Sequence, residues 1–133
     1  MKQVLFILLV FLSFNGFSQT KYKTVKIDSL EVMKADLGKM TWDDAYKACE
    51  KLGDGWRLPN PIEFDLLFKN RDIIGGFKSE LYWSYLGGEG GFGWAFSFAT
   101  GTAGGYTSNE DEDEYDGTFM GSPLYVRAVR DLK

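Results

Sequence analysis

The spacing of apolar positions changes period twice along the chain. It predicts strands near the start, two helices in the middle and strands again at the end. Residues Tyr22–Ile27 (YKTVKI) alternate apolar and polar, and Leu30–Met33 does so in part. This pattern predicts one or two strands with a turn near Asp28-Ser29. Asp36–Lys39 reads as a connection. From Trp42 the period becomes helical: Trp42, Ala45, Cys49 and Leu52 fall on one apolar face. Thr41 is the expected N-cap, and Asp43 and Asp44 suit the positive start of that helix. A second helix is expected over Pro61–Asn70, with Ile62, Phe64, Leu66, Leu67 and Phe68 forming a wide apolar face and Ile73–Gly76 ending the region. From Leu81 the period returns to two. Leu81–Tyr85 and Gly93–Phe98 are expected strands joined by a Gly87–Gly91 hairpin loop, with a second glycine-rich turn over Thr100–Gly105. Leu124–Arg130 is expected to be one closing strand. Its Tyr125, Arg127 and Val129 would face one way, and Leu124, Val126, Ala128 and Arg130 the other.

The stretch Gly53–Phe64 joins the two helices and has the strongest local signals. Gly53 and Gly55 permit the left-handed angles that close a helix. Leu58 precedes a proline and is therefore held extended. Asn60, Pro61 and Glu63 then spell a capping box with proline at the first helical position. Arg57, set between the anchors Trp56 and Leu58, is expected to tie backbone carbonyls or a carboxylate together. Trp42, Trp56 and Trp83 are expected in the core.

The first residues change the picture of where the protein works. Lys2 precedes a short apolar run, Val4–Leu12, which falls short of a membrane span. Gly16-Phe17-Ser18 then offers small residues at the positions a signal peptidase reads. Residues 1–18 are expected to be a signal peptide cleaved after Ser18. Removing 18 of the 133 residues leaves 115, which suits a single domain over residues 19–133. The expected product is an exported monomer, periplasmic or extracellular, with no membrane span. With no cysteine near the cleavage site, it is not expected to be a lipoprotein.

Charge and composition narrow the function classes. Without Lys2, 14 Lys and Arg stand against 19 Asp and Glu, a formal balance of −5. An acidic chain is poorly suited to nucleic acid or anionic membranes. Histidine is absent, which removes the commonest general base and transition-metal ligand. Cys49 is the single cysteine, so no internal disulfide is available. Its place on an apolar helix face, with no histidine partner, predicts a buried and inert thiol. Six carboxylates lie between Glu110 and Asp116. Asp111, Asp113 and Asp116 are the candidate calcium ligands; a solvated acidic loop is the other reading.

Four motifs together resemble a known family: Thr41-Trp42-x-x-Ala45-x-x-x-Cys49, Gly55-Trp56-Arg57-Leu58-Pro59, Tyr82-Trp83-Ser84, and Val126-Arg127-Ala128-Val129-Arg130. In this order they are similar to the C-terminal domain of the Legionella collagen-like adhesin and the related Fibrobacter major paralogous domain, over roughly Ile27–Arg130. The resemblance implies an α+β, C-type-lectin-like fold. That fold has two helices on a small antiparallel sheet, paired N- and C-terminal strands, and a long loop region late in the chain. The N-terminal strand near Tyr22–Ile27 is accordingly expected to pair with Leu124–Arg130. Ala128 stands where many relatives carry a cysteine, and the chain lacks the Glu-Pro-Asn, Gln-Pro-Asp and Trp-Asn-Asp motifs of calcium-dependent lectins. The adhesin resemblance also implies sulfated polysaccharide as a ligand, which an acidic chain disfavours.

The resulting expectation is a non-catalytic binding module for a glycan or a surface or periplasmic protein. Trp94, Tyr106 and Tyr115 are the candidates for a stacking platform, although Trp94 begins an alternating strand and its core role is the favoured reading. The alternatives are a calcium-stabilised structural or assembly domain, and a hydrolase built on paired carboxylates.

Overall fold

The computed structural model describes residues 22–87, 92–104 and 118–133. The architecture is mixed α+β. Among the described residues there are nine strands, β1 (Thr24–Ile27), β2 (Leu30–Met33), β3 (Gly38–Met40), β4 (Leu81–Gly87), β5 (Phe92–Ser97), β6 (Thr102–Gly104), β7 (Thr118–Phe119), β8 (Leu124–Val126) and β9 (Val129–Asp131). Three helical segments lie between β3 and β4: α1 (Trp42–Leu52), α2 (Pro61–Lys69) and the single turn α3 (Arg71–Ile74).

The strands form two sheets. The smaller has the order β1-β2-β9, and the larger β3-β8-β4-β5-β6 with β7 also on β5. The pairing is antiparallel except for one parallel step, where Tyr82 of β4 lies beside Tyr125 of β8. The expected single small sheet is therefore two sheets. The early strands and the last strand do share a sheet, but β2 rather than β1 reaches the last strand: Val32 pairs with Val129, and Leu30 with Asp131. Among the described residues β1 pairs only with β2, through a turn in which Asp28 has φ 51°.

The closing strand is also two strands. Val126, Arg127, Ala128 and Val129 are all buried, so the expected alternation of faces fails there. The chain leaves the larger sheet after Val126 and enters the smaller one at Val129, and neighbours enclose it on every side during the crossing. Two smaller corrections have the same origin, because short strands of three residues carry no readable period. Gly38–Met40, expected as part of a connection, pairs with β8. Thr102–Gly104, expected as a turn, pairs with β5.

Both helices begin as their caps dictate. The Thr41 side chain accepts from the Asp44 amide, and Asn60 and Glu63 exchange both bonds of a capping box. The two helices cover opposite faces of the β4–β5 ladder, which alternation separates cleanly. Phe64 and Leu67 of α2 join Tyr82, Phe96, Ile74 and Val129 in one buried cluster. Ala45 and Cys49 of α1 join Trp83, Ala95, Leu58 and Ala128 in the other. Phe64 stacks on Phe96 with centroids 5.1 Å apart. Burying each such side chain contributes about 1.5–3 kcal/mol. Ile62, expected on the apolar face of α2, instead points to solvent at 81% exposure, because it falls on the outer stripe of the helix with the exposed Asp65 and Lys69. Trp83 is fully buried as expected, whereas Trp42 and Trp56 are half-buried at the margin of the second cluster.

Candidate functional site

On the α1 side of the larger sheet, aromatic side chains leave the core and reach the surface. Trp42 and Tyr46 are four residues apart on α1, so they share one stripe of the helix. Their rings stack with centroids 5.4 Å apart and planes 22° apart. Tyr85 of β4 continues the row, its ring 6.3 Å from that of Tyr46. Trp83 faces α1 from within the core, and Tyr85, two residues on in the stretch where the β4–β5 register shifts, comes out beside Tyr46 at the surface. Tyr46 is 39% exposed, and Tyr85 and the neighbouring Leu86 are each 46% exposed.

The row is held from behind. The Trp42 indole N–H donates to the Ser84 carbonyl at 3.0 Å, and the Trp83 indole N–H donates to the Met40 carbonyl at 2.9 Å. The Tyr85 amide donates to the Pro59 carbonyl at 2.7 Å, tying β4 to the segment between α1 and α2. Gly93 sits beneath the row; a Cβ there would come within 3.2–3.4 Å of Trp83, Met120 and Trp42. The strip is thus a set of large, polar-tipped rings with fixed backbones, the kind of surface that offers contact area at low cost in conformational entropy.

Of the residues expected to form the platform, Trp94 alone falls among the described residues. Trp94 is half-buried on β5 and, by alternation, shares the Phe96 face that α2 covers. It is therefore on the opposite side of the sheet from Tyr46 and Tyr85. Tyr106, Tyr115 and the candidate calcium ligands Asp111, Asp113 and Asp116 lie outside the described residues. Among the described residues no group of three or more acidic or thiol side chains converges as a metal site.

Cys49 is fully buried and free. Burial pushes its thiol up to about 12, so it stays protonated where a nucleophilic cysteine would ionise. The most heavily bonded charges serve the fold. Arg57 donates to Glu63 through Nη1 and Nη2, at 2.7 and 2.8 Å, and Nη2 also reaches Asp131 at 2.9 Å. This is the carboxylate tie expected of it. Its backbone pairs with Val129 in both directions, which closes the outer edge of β9.

The signal for the surface strip was present in the sequence. Tyr46 stands four residues after Trp42, but a tyrosine beside the apolar face of a helix does not by itself announce exposure. Tyr85 closes an apolar run whose earlier members, Tyr82 and Trp83, are fully buried. No protein-family model matches the chain, and no curated protein matches it.

Proposed function

We propose that this protein is an exported, non-catalytic carbohydrate-binding module of C-type-lectin-like fold. The observation that carries the reading is the Trp42–Tyr46–Tyr85 row, half-buried at Trp42 and exposed at its two tyrosines. Sugar rings present apolar C–H faces and hydroxyl edges, and they suit tyrosines that offer a ring face and a polar tip together. The lectin-like fold is supported by the sharing of one small sheet by the early strands and the last strand, and by the placement of a helix on each face of the β4–β5 ladder. The non-catalytic reading is supported by the buried Cys49 and by the structural engagement of Arg57 and Glu63.

A glycan array followed by titration calorimetry tests this. A bound glycan should lose about tenfold in affinity for Tyr46→Ala and again for Tyr85→Ala, the loss of one ring contact each. Both side chains are exposed, so the melting temperature should stay close to that of the parent. An array with no hits, or variants that bind as the parent does, would remove the carbohydrate reading.

A further inference from the structure

The small sheet has two edges of different kinds. The β9 edge is closed by Arg57, whose N–H and C=O both bond to Val129, at 2.8 and 2.9 Å. The β1 edge has no strand beside it among the described residues. The register shows which backbone groups it presents. The Lys34 amide donates to the Lys23 carbonyl, so Lys23/Lys34 is a bonded pair, and by alternation Val25/Val32 and Ile27/Leu30 are bonded pairs too. Thr24 and Lys26 therefore direct their N–H and C=O groups away from β2. The Met33 amide opposite Thr24 fits this pattern, since it turns the other way and donates to the Ala128 carbonyl.

The edge is also basic, within an acidic chain. Lys23, Lys26 and Lys34 are all exposed. Glu31, directly across from Lys26, is taken up by Arg130 at 2.8 Å and by the Thr24 hydroxyl at 2.7 Å. On the outer face beside Lys26 the sheet borders an open groove of about 430 Å³, into which Arg130 and Lys133 also project alongside Asp54 and Asp131. Lysines on an edge oppose pairing with a like-charged copy, because two identical edges bring Lys against Lys. The same lysines favour a strand of opposite charge.

We propose that the β1 edge is a docking site for an extended acidic peptide segment of a partner protein, added as a fourth strand. The incoming backbone exchanges hydrogen bonds with Thr24 and Lys26. An acidic side chain opposite Lys26 meets its ammonium on the outer face, and the residue opposite Val25 turns the other way. This site is on the small sheet and does not depend on the aromatic strip of the larger one.

An end-blocked peptide of alternating glutamate and valine tests it, with a lysine–valine peptide as control. Fluorescence anisotropy should show binding of the acidic peptide that weakens with added salt, and weaker binding of the lysine peptide. Hydrogen exchange should slow at the Thr24 and Lys26 amides when the acidic peptide is present. Lys26→Glu should lower affinity roughly tenfold, since it exchanges attraction for repulsion, while the melting temperature reports that the fold is intact. Tyr46→Ala should leave peptide binding unchanged. The proposal is overturned if the acidic peptide does not bind, if the lysine peptide binds as well, or if the two amides exchange as before. It is equally overturned if sedimentation shows a dimer whose Thr24 and Lys26 amides are protected without peptide.

Discussion

Arg127 is fully buried, and what surrounds it explains why a charge stands there. Its Nε donates to Asp36 at 2.8 Å, its Nη1 to the carbonyls of Met33 and Gly75, and its guanidinium lies 3.9 Å over the Phe77 ring. Asp36 in turn accepts from the Tyr82 hydroxyl at 2.9 Å. One side chain thus joins the β2–β3 connection, the end of α3 and the crossover between the sheets. The fit depends on Gly76, with φ 76°, because a Cβ there would lie 2.8 Å from the Lys34 carbonyl oxygen and 3.2 Å from Arg127 Nη2. Removing one member leaves the other charge buried without its counterion. Arg127→Met and Asp36→Asn should each lower the unfolding free energy by about 3–5 kcal/mol in urea titrations; losses under about 1 kcal/mol would show the pair to be dispensable. Cys49 lies in the second buried cluster, and its thiol is pushed up to about 12. Native protein at neutral pH should react with a thiol reagent far more slowly than denatured protein, as followed by mass spectrometry. Equal rates would mean that α1 opens readily.

At the scale of elements, legibility followed the strength of local rules. Both long helices were readable because their starts are fixed by side chains a few residues away: Thr41 for α1, and the Asn60–Glu63 pair for α2. Arg57 was readable as a tie because Glu63 is only six residues on. The division of Leu124–Asp131 into β8 and β9 was not readable, since nothing in the sequence marks Arg127-Ala128 as a crossing between sheets. The partner of Arg127 is Asp36, 91 residues earlier, and no spacing announces such a pair. The aromatic strip was not read from the sequence. Tyr46 stands four residues after Trp42, but that spacing does not mark it as exposed, and the arrival of Tyr85 beside it depends on how α1 docks against β4.

The small sheet carries its own pH dependence. Hydrogen bonds from Arg130 first, and then from the Thr24 hydroxyl, hold the Glu31 carboxyl below its usual value of 4.5. A carboxyl depressed in the folded state adds stability above its unfolded value and loses it as pH falls through the folded one. Stability should therefore begin to fall below about pH 4.5 and continue falling at lower pH. Glu31→Gln should flatten that acid limb in melting curves while lowering stability at neutral pH. An unchanged acid limb would assign the effect to other carboxylates.

For the molecule as a whole, the last ten residues complete both sheets. β8 lies between β3 and β4 in one, and β9 lies between β2 and the Arg57 segment in the other. A chain ending at Pro123 should show no cooperative thermal unfolding; a truncated chain that still melts sharply would mean that the sheets form without their shared segment.

The crossing at Arg127-Ala128 also sets the order of events when the protein is made. Leu30 must wait for Asp131, about a hundred residues later, before its strand has a second neighbour. Contacts so far apart in sequence form late and slowly. Neither sheet can be completed before the β8–β9 segment is in place. Both helices can cap themselves early, but the faces they bury have nothing finished to rest on. Both sheets thus wait on the same long-range contacts, and the segment that joins them is the last to find its place.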